Sequence, residues 1–145
     1  MRTAIVRDPL QPSAALAEVA NVANGAAVLF VGMVREVNDG RPVTGIEYSA
    51  YEGMAARELA AIAGEAAARS GTTDIVVEHR VGRLELGEAS VVIAVAHAHR
   101  AEAYDASRFI IEQIKRRVPI WKREEYVDGT REWVDPTASR TEAAR

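Results

Sequence analysis

Lys115 and Lys122 are the only lysines in a chain that carries 18 Lys and Arg residues. They share the segment Ile114-Lys115-Arg116-Arg117-Val118-Pro119-Ile120-Trp121-Lys122-Arg123-Glu124. A lysine can lose its proton at accessible pH and act as a base or amine nucleophile, which an arginine cannot. Lys115, Arg116, Arg117, Lys122 and Arg123 come before any acid in this stretch, a density that suits anion binding. A G+C-rich genome explains the arginine excess but not why both lysines fall in one segment. Cations in the last turn of a helix also meet the negative end of its dipole, worth about 0.3–1 kcal/mol each. That accounts for Lys115 to Arg117 and leaves Lys122 and Arg123 unexplained.

Two other places have residue types suited to chemistry. Arg35 stands where an apolar run gives way to turn residues, a usual position for a binding side chain, although a solvated strand-end cation looks the same. His97 and His99 form an H-x-H at a strand end, where alternate side chains share a face; no third metal ligand stands at a suitable spacing. His99-Arg100 also falls at a strand-to-helix junction, where free amides and a cation can hold a phosphate.

The elements that must position these residues follow from patterning. Residues 2–7 read as a short strand, and Ser13 as the N-cap of a helix that ends near Gly25. Ala26 to Val31 is an unbroken apolar run, expected as a buried central strand. After the turn-rich Asn38-Asp39-Gly40-Arg41-Pro42, alternation of Thr44, Ile46, Tyr48 and Ala50 predicts a second strand, antiparallel to the first. Ala55, Leu59, Ile62 and Ala66 mark one face of a helix closed by Gly71. Two strands follow, Ile75–Val81 and Ala89–His97, with a bend bracketed by Gly82 and Gly87. A third helix starts near Arg100 and turns Ala103, Ala106, Ile110, Ile114 and Val118 inward until Pro119 stops it, which puts Lys115 in its last turn. Ile120 to Tyr126 and Arg131 to Val134 flank Asp128-Gly129 as a hairpin. The fold class is α+β, mostly antiparallel strands with about three helices. Residues 1–135 form one domain and 136–145 a loose tail.

Composition narrows the function classes. With 145 residues, 48% of them apolar, the chain can bury one core unaided. It has no cysteine, so any sulfur it handles must come from a partner. A net charge of -3 and a pI near 5.7 argue against a nucleic-acid or membrane-surface protein. The N-terminus has no apolar core of signal-peptide length, and no run approaches the roughly 20 apolar residues of a membrane span, so a cytoplasmic location is expected. No P-loop, dinucleotide fingerprint, G-x-S-x-G or H-E-x-x-H is present.

Phe30-Val31-Gly32-Met33-Val34-Arg35, then Ala98-His99-Arg100, then the two-lysine segment with its P-x-W-K-R-E stretch resemble the MoaE family, the large subunit of molybdopterin synthase. The order and spacing match along nearly the whole chain. The resemblance implies an α/β-hammerhead fold and an enzyme, a sulfurtransferase. It would convert cyclic pyranopterin monophosphate (precursor Z) to molybdopterin by installing two dithiolene sulfurs, in molybdenum cofactor biosynthesis. The implied sulfur source is the C-terminal Gly-Gly thiocarboxylate of a small ubiquitin-like carrier subunit of the MoaD type. The implied assembly is a heterotetramer around a central homodimer, with no cofactor and no metal.

Carried over by residue, Lys115 is the implied catalytic lysine, with desolvation and neighbouring cations favouring its neutral amine, and Lys122 stands near the pterin phosphate. Arg35, His99, Arg100 and Arg123 would hold the anionic substrate, and Glu124 would orient a lysine. Many members have Lys where this chain has Met33, which removes one pocket cation and implies either weaker substrate affinity or compensation by Arg41. Two other functions stay open on the residues alone: a non-enzymatic anion or nucleic-acid binding module, and a metal-dependent hydrolase built on His97 and His99.

Overall fold

A computed structural model describes residues 1–134; the expected tail lies outside the described residues. In chain order the elements are β1 (Arg2–Val6), α1 (Pro12–Val19), β2 (Ala26–Met33), β3 (Val37–Asn38), β4 (Arg41–Ala50), α2 (Glu52–Ser70), β5 (Ile75–Arg80), β6 (Gly82–Glu85), β7 (Ala89–His97), α3 (Arg100–Arg117), β8 (Ile120–Tyr126) and β9 (Arg131–Val134). Three helices and mostly antiparallel strands make this the expected α+β class. Among the described residues no helix is long and apolar enough to cross a membrane.

The first sheet has the order β1-β5-β7-β2, parallel only between β1 and β5. The run in β7 is apolar throughout because both of its faces are covered. Val91, Ile93 and Val95 join the main core with Leu59 and Ile62 of α2 and Ile110 and Ile114 of α3. Val92, Ala94 and Ala96 face Ala15 and Val19 of α1. A strand's side chains alternate between faces, so burial on both sides removes the polar half of the pattern.

The second sheet has the order β3-β4-β8-β9, with β6 also pairing to β4. β4 and β8 run antiparallel with Tyr48 opposite Lys122 and Ile46 opposite Glu124. Asp39 and Gly40, at φ 49° and 77°, form the two-residue turn between β3 and β4, the geometry that favours Asp-Gly.

Five details depart from the sequence expectation. Pro12 rather than Ser13 sets the start of α1, its fixed φ fitting the first helical position, and Gln11 occupies the cap. The helix ends at Val19, well before Gly25, and the side chains of Asn21 and Asn24 beyond it both donate to Asp74, at 2.6 and 2.7 Å. β2 is an edge strand, half-exposed, and β5 and β7 are the interior ones. β2 and β4 also belong to different sheets, so they are not the expected antiparallel pair, and the bend after Gly82 is the short strand β6.

Candidate active site

The apolar line of α3 fixes where its last turn points. Ala103, Ala106, Ile110 and Ile114 are buried, and Val118 closes the helix with its N–H on the Ile114 carbonyl at 3.1 Å. Pro119 has no N–H to continue the helix, and β8 starts one residue later. The chain thus reverses between the two lysines. Lys115 leaves the end of α3 and Lys122 projects from β8 into the same cavity of about 150 Å³. Arg35, from the loop after β2, and Asn38 and Glu124 line it as well, over an apolar floor that includes Phe30, Val43, Ile46 and Val91. Three cations, Arg35, Lys115 and Lys122, face one carboxylate, Glu124, so the lining is cationic by two charges. A cavity with that balance favours an anionic ligand.

Glu124 is the fixed point of the site. Its side chain is fully buried, and Asn38 Nδ2 lies 2.6 Å from both carboxylate oxygens. The Tyr126 hydroxyl donates to Oε2 at 2.5 Å, and Lys122 Nζ lies 3.1 Å from Oε1. Burial alone would raise this carboxyl; the hydrogen bonds from Tyr126, Asn38 and Lys122 outweigh it and hold the carboxyl below its ordinary range. The same contact, together with burial, pushes the Tyr126 phenol up to about 12. Arg35 Nη2 completes the chain with a long hydrogen bond of 3.4 Å to Asn38 Oδ1.

Beneath the lysine of α3 lies a second polar group. His79 is buried, its Nδ1 lies 2.8 Å from the Arg80 carbonyl, and its ring meets Tyr48 edge-on at 5.4 Å. Burial, reinforced by the charge of Lys115, pulls His79 down to about 4, so it is neutral at pH 7. Since the carbonyl can only accept, Nδ1 carries the proton. Tyr48 lines the cavity, and burial raises its phenol against a hydrogen bond with Ser90.

The expected site residues separate into two groups. Lys115, Lys122, Arg35 and Glu124 come together, and Glu124 contacts Lys122 as expected of an orienting residue. Arg123 stands on the opposite face of β8, where it pairs with Glu47 at 3.2 Å and lies 5.3 Å from the Trp133 ring. His99 is the N-cap of α3 and Arg100 its first residue, so about 22 Å of helical rise separates Arg100 from Lys115 in the last turn, and slightly more separates His99. Arg41 does not replace the missing cation near Met33; it pairs with Glu132 and stacks on Tyr126.

The other basic residues of the segment do not form one patch. Arg117 is held by Glu58 and Glu65 at 2.8 and 2.7 Å. That distribution disfavours the nucleic-acid reading. His97 has both ring nitrogens engaged, Nε2 on the Ser70 carbonyl and Nδ1 accepting the His99 N–H, which removes it as a ready metal ligand.

Sequence reasoning missed Asn38, His79 and Tyr126. Asn38 reads as one turn residue among several, and only its position three residues after Arg35 hinted at more. His79 and Tyr126 sit on inward parity of their strands, a signal that a polar side chain points into the core.

Comparison with known proteins gives the family. The sequence model of the family described as MoaE protein matches residues 5–117. The molybdopterin synthase catalytic subunit of Emericella nidulans is 41% identical over 124 residues, covering 86% of this chain and 64% of its own length, so the chain spans under two thirds of that relative. The crystal structure of molybdopterin synthase from Staphylococcus aureus superposes with a TM-score of 0.85 at 38% identity, over 90% of this chain and 95% of that one. A complex of subunits 1 and 2 of molybdopterin-converting factor from Helicobacter pylori shares the fold, with a TM-score of 0.72 at 22% identity over 91% and 89% of the two chains. With the family model spanning most of its length and its fold shared nearly end to end, the chain belongs to the MoaE family.

Proposed function

We propose that the chain is the catalytic subunit of a molybdopterin synthase, transferring sulfur from a small-subunit thiocarboxylate to precursor Z to build the molybdopterin dithiolene. The observation that carries this reading is the convergence of Lys115 and Lys122, from two elements, in one cationic cavity with Arg35. A chain without cysteine cannot carry the sulfur itself. The family name of the matched relatives and the two-subunit complex of a protein with this fold support a small carrier as the donor.

In each round the thiocarboxylate sulfur forms a bond to a carbon of the pterin side chain and a C–O bond at that carbon breaks: in one round the cyclic phosphate ester, which opens to a monoester, and in the other the carbonyl C–O, whose oxygen leaves as water. Water then cleaves the acyl–sulfur bond and returns the carrier as a carboxylate. Two rounds give the dithiolene. Lys115 acts on the reacting atoms as general acid/base or as a transient amine nucleophile, and Lys122 stabilises the phosphate as its ring opens. Arg35 adds a planar donor for that phosphate.

His99 and Arg100 reach a substrate in this cavity only from a second copy of the chain, since α3 holds them at its far end. A homodimer with pockets completed across its interface is therefore part of the proposal, and Arg123 contributes by bracing β8 rather than by touching substrate.

The test is a single-turnover assay with precursor Z and a small-subunit thiocarboxylate, with Lys115→Ala and Lys122→Ala alongside. Dithiolene from the unmutated protein and none from Lys115→Ala is the expected result. A Lys115→Arg protein with full turnover would remove the proton-transfer role, and an inactive unmutated protein would remove the function.

A further inference from the structure

Glu124 is fully buried and accepts from three side chains, yet two of the donors, Asn38 and Tyr126, belong to no step above. Asn38 has a second contact that gives it a purpose. Its Nδ2 donates to Glu124 while its Oδ1 accepts from Arg35, so one amide links the anchor of Lys122 to another cation of the cavity. The order of connection is Arg35, Asn38, Glu124, Lys122, with Tyr126 holding the carboxylate from the far side.

We infer that Asn38 and Tyr126 are positioning residues: acting through Glu124, they fix the placement of Lys122, and Asn38 couples that placement to Arg35. The inference rests on the proposed sulfur-transfer reading for its activity readout but not for its geometry.

A carboxylate paired with Lys122 alone would rotate about its side-chain torsions and follow the flexible ammonium, because lysine is a point charge on a four-carbon stem. Two neutral donors on fixed strands remove that freedom, and hydrogen bonds to a charged group are the strong kind. The result is an ammonium held at one place before substrate arrives, which is what preorganised charge stabilisation requires. The charged and titratable groups around the carboxylate are Lys122 and Tyr126 on β8, Tyr48 on β4, Arg35 after β2 and Lys115 on α3.

The experiment compares Asn38→Ala and Tyr126→Phe with the unmutated chain in two measurements. In single turnover, each variant is expected to lower the rate about tenfold, the loss of one hydrogen bond to a charged group, with a smaller change in apparent substrate affinity. The low-pH limb of the rate profile should move to higher pH, because Glu124 loses donors that hold its proton off. Asn38→Gln, which keeps the amide, should recover part of the Asn38→Ala loss. A purely structural role would lower the melting temperature and leave both the rate per folded molecule and the pH limb in place, and that outcome overturns the inference.

The second measurement needs no turnover. Trace acetylation of the folded protein resolves the two lysines by mass, and both variants should raise Lys122 labelling severalfold relative to Lys115. An unchanged ratio overturns the inference even if the unmutated protein makes dithiolene. A raised ratio in a protein that makes none sustains it while the sulfur-transfer reading fails.

Discussion

β7 and β8 are both interior strands of their sheets, and they solve burial in opposite ways. β7 buries apolar side chains on both faces and contributes no charged group. β8 carries Lys122, Arg123, Glu124 and Glu125 in sequence, and each has a charged partner: Lys122 with Glu124, Arg123 with Glu47, and Glu125 with Arg83. β7 is thus held by area removed from water, whereas β8 adds ion pairs to the burial of Ile120 and Tyr126. A buried polar network is tolerable only when its members are satisfied, so the two strands should respond differently to the same size of change.

Lys115→Ala should lower single-turnover dithiolene formation roughly a thousandfold with the fold intact, the middle of the range that one acid–base group contributes. In β7 the converse holds. Ile93→Ala opens a cavity between the first sheet and its covering helices and should cost about 3–4 kcal/mol in denaturant unfolding, with turnover per folded molecule unchanged. A rate that fell with Ile93→Ala would mean that the apolar sheet is not a passive platform.

His79 tests the boundary, since it is a titratable group inside the apolar sheet. Its folded-state value of about 4 lies below the ordinary 6.5, so the unfolded chain takes up the proton first. The contribution to stability is complete above about pH 6.5 and is lost as pH falls from there to about 4, up to about 3 kcal/mol. Melting temperatures measured across that window should drop in the unmutated chain and flatten in His79→Gln.

Smaller effects follow on β8. Glu124→Gln keeps the shape but removes the charge, and should cost about 2 kcal/mol while also lowering turnover. Arg123→Ala, whose partner and own side chain are partly exposed, should cost under about 1 kcal/mol. Equal turnover losses in Lys122→Ala and Arg123→Ala would place both faces of β8 in the site.

The helix faces were legible in the sequence because a 3.6-residue period leaves little choice: every residue expected on the inner side of α3 is buried. The position of Lys115 in the last turn followed from Pro119. Strand parity also separates Lys122 from Arg123, but their shared charge suggested a single cluster and hid the alternation. The true partners of β2 and β4, which lie in different sheets, were not legible, because an apolar run specifies burial and not its neighbour. Asn38 was hidden for a related reason: its role depends on Glu124, 86 residues away, and turn chemistry explains it equally well from the local sequence.

The length of α3 has a genetic consequence. If one copy supplies Lys115 and another supplies Arg100 to the same pocket, a chain broken at Lys115 and a chain broken at Arg100 complement each other. Random dimerisation of equal amounts makes half of the dimers mixed, and each mixed dimer has one intact pocket and one doubly broken pocket, so about a quarter of all pockets regain activity. Two inactive alleles expressed together would then support partial cofactor synthesis, whereas two alleles broken at Lys115 and Lys122, which one copy supplies to the same pocket, would not.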